Sequence, residues 1–115
     1  MKIIKNIAIL SPDKVILNNV NDALDIMASI YSSHNLSKAI IYLEAINPDL
    51  FELKNGILGE ILQKYVTYKF KVGFIGDFSK FNSKSLNAFI LESNKGDNFF
   101  FTGGLDSAVD KLSKP

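Results

Sequence analysis

The sequence predicts an α/β fold: a single mixed, mostly parallel five-stranded sheet with four helices, in the order β-β-α-β-α-β-α-β-α. Three observations carry this reading. Short, continuously apolar runs at residues 39–43, 70–75 and 98–102 suit strands covered on both faces. Between and after these runs, apolar residues recur at intervals of three and four, the period of an amphipathic helix. Strands that alternate with helices require parallel pairing through right-handed crossovers. At 115 residues the chain has the size of one domain, and the expected unit spans residues 1–115.

Each element has its own warrant. Ile3, Ile4, Ile7, Ile9 and Leu10 make a first strand. Ser11-Pro12-Asp13-Lys14 follows, with Pro12 at the favoured second position of a type I turn. Val15-Ile16-Leu17 then reads as the returning strand, so residues 2–18 form a hairpin. Asn21 and Asp22 offer caps to a helix striped by Val20, Ala23, Leu24, Met27, Ile30 and Tyr31. After Asn47-Pro48-Asp49, a second helical stripe runs through Leu53, Ile57, Leu58, Ile61, Leu62 and Tyr65. Gly56 and Gly59 inside it each cost about 1 kcal/mol relative to alanine, which suggests backbone close to a strand or a later helix start. Leu86, Phe89 and Ile90 mark a third helix, and Leu105, Ala108, Val109 and Leu112 a last one.

Composition removes several chemistries. The apolar fraction is 47% and the charged fraction 22%, ordinary for a folded globule. A net charge of +1 gives no electrostatic case for nucleic acid or an anionic membrane. Every basic residue is lysine, so no guanidinium clamp can grip phosphate or carboxylate in bidentate fashion. Without cysteine there is no disulfide, thiolate nucleophile or zinc–thiolate site. The lone histidine, His34, has no second histidine with which to hold a metal, and no cofactor is implied. Lys5 and Asn6 interrupt the first apolar run, which lacks a small-residue cleavage site, and no run approaches the roughly 18 apolar residues of a membrane span. A cytoplasmic protein is expected, and its bias to lysine, asparagine, isoleucine and phenylalanine suggests an AT-rich bacterial genome. Nine phenylalanines are many for one small core, which suggests a homodimer that covers the surplus.

In open α/β sheets, ligands favour the carboxyl ends of the strands. That edge gathers Asn18, Asn19 and Asp22; Glu44, Asn47 and Asp49; Asp77, Ser79 and Lys80; and Thr102, Gly103 and Gly104. Glu44 and Asp77 could serve as acid and base in a polar pocket, whereas the plainer reading makes these residues caps and turns. The segment GDFSKFNSKSL, residues 76–86, stands out. It lacks the spacing of a P-loop. Gly76 permits a sharp exit from the strand, Asp77 can bond the amides of the next turn, and Ser83 is placed to cap a helix from Lys84. Lys80 and Lys84 could help hold an anion at that helix start. Phe78 and Phe81 either fold back onto the sheet edge or meet a partner. Asn98-Phe99-Phe100-Phe101-Thr102 poses a similar question, since three consecutive side chains on a strand do not share one face.

The order of elements resembles that of the STAS domain, the fold of bacterial anti-sigma-factor antagonists and of sulphate-transporter tails. Two blocks, LKNGILGEILQKY (residues 53–65) and VGFIGDFSKFNSKSLNAFILESNKG (residues 72–96), are similar in wording to the bacterial family called domain of unknown function 4180. That family carries no established activity, so the resemblance implies a fold. Regulatory STAS domains carry a phosphorylatable serine or threonine just after the third strand. Here that place reads AINPDLFELKNG, and no serine or threonine lies between Ser37 and Thr67. The resemblance therefore implies a member without the usual switch, with Ser79, Ser83 or Ser85 as the remaining acceptors near that edge. The sequence supports first a non-enzymatic regulatory or protein-interaction domain acting through residues 76–86 and the neighbouring helix starts. Second comes a binder of a small anionic ligand at the carboxyl edge, and third an enzyme using Glu44 and Asp77.

Overall fold

In a computed structural model that describes residues 1–10 and 12–114, the chain first reverses at Lys5 and Asn6. Both adopt positive φ, 49° and 65°, as a two-residue hairpin turn requires. Strand β1 (Lys2–Ile4) returns antiparallel as β2 (Ile7–Leu10), with Ile4 opposite Ile7 and Lys2 opposite Ile9. The hairpin expected over residues 2–18 is thus complete by Leu10. The polar pair that interrupts the first apolar run is the turn itself. Val15-Ile16-Leu17 is not the returning strand. It runs beside the loop after β3, where the Ile16 and Leu17 amides both donate to the Ala45 carbonyl, at 2.8 and 3.1 Å. One parallel bridge, Leu17 to Ile46, is the extent of its pairing. The expected type I turn starts on Ser11, outside the described residues.

The remaining elements follow in the expected alternation: α1 (Val20–His34), β3 (Lys38–Tyr42), α2 (Ile57–Thr67), β4 (Lys71–Ile75), α3 (Lys84–Ser93), β5 (Phe99–Thr102) and α4 (Leu105–Leu112). Spatial order equals chain order, β1-β2-β3-β4-β5, and β2 to β5 are mutually parallel. Helix α1 starts where the Asn19 side chain accepts the Asp22 amide at 2.8 Å, and it stops at Asn35, whose φ of 55° breaks the helical path. Helix α2 begins later than its apolar stripe suggests. Leu53 lies in the last of three 3-10 turns that occupy the β3–α2 connection, and Gly56 enters the helix at φ 77°. Period-three turns place apolar residues much as a helix does, which is why the stripe ran on.

Successive right-handed crossovers that always step the same way put their helices on one face. Accordingly α1, α2 and α3 pack on the face carrying Ala8, Ala39, Ile41, Val72, Phe74 and Phe101. Helix α4 alone packs on the other face, its Ala108, Val109 and Leu112 against Ile40, Ile75 and Phe100. Phe99 and Phe101 therefore serve the larger core and Phe100 the smaller one. Within the larger core the Tyr65 hydroxyl donates to the Ala23 carbonyl at 2.8 Å and ties α2 to α1. Burial raises that phenol well above its ordinary pKa, so it remains a donor.

The premise drawn from phenylalanine content does not hold. Phe51, Phe70, Phe74, Phe78, Phe100 and Phe101 are buried, and Phe81, Phe89 and Phe99 are partly buried against the core, so one chain covers all nine. Two-sided covering of the sheet is what accommodates them. Among the described residues, no helix is long and apolar enough to cross a membrane.

Candidate functional site

The carboxyl ends of β2 to β5 share one edge, and the structure brings most of the expected polar residues to it. Their hydrogen bonds show what they do there. Asn18 donates to the Asp22 carboxylate through its backbone at 3.0 Å and its side chain at 3.1 Å. Asn47 donates to Asn18 at 3.2 Å and accepts the Asp49 amide at 3.0 Å, so it joins the two loops and caps a 3-10 turn. Thr102 donates to the Gly104 carbonyl at 3.0 Å and is buried in the turn into α4. Glu44 is exposed and, among the described residues, makes no hydrogen bond or ion pair with Asp77. These bonds satisfy caps and turns, the plainer of the two readings.

Residues 76–86 form an ordered loop with an apolar underside and a polar crown. Gly76 matters for close approach: a Cβ there would lie 2.5 Å from Leu43 Cβ and 2.8 Å from its Cδ2. Its amide donates to the Thr102 carbonyl at 3.0 Å. Asp77 accepts the Ser79 hydroxyl at 2.5 Å and the Ser79 amide at 3.1 Å, which opens a 3-10 turn over Phe78–Phe81. Those two bonds, with a smaller contribution from Lys80, hold the Asp77 carboxyl below the usual aspartate range. It stays ionised and is a weak proton acceptor. Its support of the loop is present above the ordinary aspartate pKa and is lost as pH falls through the lowered value.

Phe78 and Phe81 take the first of their two alternatives. Phe78 is 8% exposed and packs on Phe51 and Phe101, at centroid distances of 5.5 and 5.4 Å. Phe81 lies 4.9 Å from Phe51 and is half-buried. Asp77, Ser79, Lys80, Asn82, Lys84 and Ser85 remain exposed above them. Ser83 caps α3 by accepting the Leu86 amide at 3.1 Å.

The loop's two kinds of residue should therefore separate on mutation. Ser83→Ala is expected to cost about 1 kcal/mol through the lost cap, whereas Lys80→Glu with Lys84→Glu should change stability by under about 0.5 kcal/mol. Urea unfolding of both variants checks this. A destabilised lysine pair beside a silent Ser83→Ala would reverse the assignment.

Topology explains why this edge is a rim. A binding crevice arises where strand order reverses and adjacent loops diverge to opposite faces. Here the order never reverses, and the loops leaving β2, β3 and β4 all climb to the same face. Clefts do open at the opposite, amino edge. One of about 210 Å³ is lined by Lys71, Lys95 and Lys111, and an apolar one by Tyr31 and Tyr68. Neither was read from the sequence, because each draws its walls from elements far apart in the chain.

Comparison with known proteins fits this architecture. Among proteins of curated function, none matches the chain in sequence. A crystal structure of a Thermotoga maritima protein assigned as an anti-sigma factor antagonist is similar, with a TM-score of 0.52 and 13% identity. The similarity covers 98% of this chain and 92% of that one, and at such identity it speaks for the fold. The family model for domain of unknown function 4180 matches residues 3–112, nearly the whole sheet and its helices, and the chain belongs to that family.

Proposed function

We propose that the protein is a non-enzymatic regulatory domain that binds a protein partner through its carboxyl edge, chiefly residues 76–86 with the neighbouring helix starts. The observation that carries this is the construction of the loop. Phe78 and Phe81 clamp it to Phe51, so the exposed crown of Asp77, Ser79, Lys80 and Lys84 is held in place before any partner arrives. A preordered surface loses less entropy on binding. The similar Thermotoga maritima fold, from a protein assigned as an anti-sigma factor antagonist, supports a protein as the partner.

The place of the usual STAS acceptor holds Asp49 and Glu52, both exposed, and no serine or threonine. The interaction is therefore independent of phosphorylation there, and any modification that tunes it falls on Ser79, Ser83 or Ser85. A small anion at the same edge gains less support: Ser83 already occupies the Leu86 amide, and Lys80 lies over the Phe81 ring at 5.6 Å. A homodimer would use the apolar groove of Tyr31 and Tyr68, which are 62% and 58% exposed.

The test places a photo-crosslinking residue at Ser79 and, as a control, at Glu60 on α2, in the native cell. A discrete adduct from position 79 alone is expected, and Lys80→Glu with Lys84→Glu should weaken its formation. Equal or absent adducts at the two positions would defeat the assignment of this edge.

A further inference from the structure

At the amino edge, four lysines line one cleft of about 210 Å³: Lys71 from the start of β4, Lys95 from the α3–β5 loop, Lys111 from the last turn of α4 and Lys114 from just beyond it. Asp97 is the carboxylate on its lining. Four lysines against Asp97 and the Glu92 beside Lys95 leave a local excess of two positive charges, in a chain whose total is +1. Lys95 shares its charge with Glu92 at 3.5 Å. Among the described residues, Lys71, Lys111 and Lys114 have no carboxylate within ion-pair distance.

The helix dipole explains part of this. Cations suit the last turn of a helix, which accounts for Lys111. It does not account for Lys71, which begins a strand and is half-buried. The walls are also fixed. Asn94 uses both ends of its amide on the Phe101 backbone, at 2.8 and 2.9 Å, and so pins the loop that carries Lys95. Lys38 donates to the Leu112 carbonyl at 2.6 Å and secures the end of α4. Lys111 lies over the Phe100 ring at 5.3 Å. Like charges lining one cleft repel, and a multivalent anion offsets the repulsion.

We propose that this cleft is a binding site for a compact polyanion, a small molecule carrying two or more phosphate groups. Lysine ammoniums are point charges without arginine's planar fork, so they answer to clustered charge rather than to one carboxylate's shape. The cleft's size suits a diphosphate or a phosphorylated small metabolite. Phe100 is only 6% exposed, so the floor offers no open ring for stacking a base, and this favours a small ligand over nucleic acid. The site lies across the sheet from the proposed partner surface and does not depend on that reading.

Titration of the full chain with inorganic pyrophosphate, followed by amide shifts in nuclear magnetic resonance, tests the proposal without any variant. Saturable shifts confined to residues around Lys71, Lys95 and Lys111 are expected. Calorimetry should show Lys71→Gln with Lys111→Gln weakening pyrophosphate at least about tenfold, and Lys54→Gln with Lys64→Gln, both exposed and outside the cleft lining, leaving it within about twofold. Shifts spread evenly over all lysines, or no saturation below about 5 mM, would overturn the site. A short single-stranded oligonucleotide that binds more tightly and displaces pyrophosphate would overturn the choice of a small ligand.

Discussion

Phe101→Ala is expected to remove about 3–5 kcal/mol of stability. Its ring stacks on Phe74 at 5.0 Å and meets Phe78 and Phe89 edge-on at 5.4 and 6.0 Å, and the residue is 4% exposed. Such aromatic pairs add about 0.5–1.5 kcal/mol beyond the area they bury. Because Asn94 holds the Phe101 backbone in place, the strand stays anchored, and the loss is one of packing around a cavity. A domain of this size has about 5–15 kcal/mol in total, so the variant should sit close to its unfolding threshold. Urea denaturation would measure the change as a fall in midpoint at constant slope. A loss below about 1 kcal/mol would mean that the cluster joining β4, β5, α3 and the 76–86 loop is loosely packed.

Gly76→Ala should be the most costly of the small substitutions, although it adds a single methyl group. Replacing glycine with alanine at a compatible site stabilises a protein by about 0.4–1 kcal/mol, through the unfolded chain. At Gly76 the new Cβ would lie 2.5 Å from Leu43 Cβ, an atom fixed to the backbone that no rotamer change can move. The two loops must part, and overpacking of this kind costs about 1–3 kcal/mol. Gly59→Ala is the internal control: it lies within α2 with nothing within 4 Å of its would-be Cβ, and it should stabilise by about 0.5–1 kcal/mol. Opposite signs in thermal unfolding are the expected result. The same sign at both positions would rule out contact with Leu43 as the reason for the glycine.

Features set by neighbours in the chain were the ones legible in advance. Ser83 and Asp77 act on amides two or three residues away, so their spacing alone assigns them. The buried runs of β3, β4 and β5 were legible because two covered faces leave no polar alternation to confuse. The first hairpin was misplaced because Pro12 is a conspicuous turn former, whereas Lys5 is an unusual residue at positive φ. The role of Gly76 was misread for the opposite reason: what makes it necessary is Leu43, a residue on another strand's exit. The lysine cleft was illegible for the same reason, since Lys71, Lys95 and Lys111 meet only once the sheet is assembled.

The unbroken match between strand order in space and in sequence has a consequence for how the protein is made. Each strand from β2 onward docks on the one translated just before it, so no strand has to be threaded between two already paired. The ladder can lengthen at its growing edge as the ribosome delivers each helix and strand, with one helix-bearing crossover to close at every step. The face that carries Ile40, Ile75 and Phe100 stays uncovered throughout, until α4 has been translated and laid across it. A nascent chain paused before Leu105 would thus present a paired sheet with one bare apolar side, the state in which it most needs a chaperone.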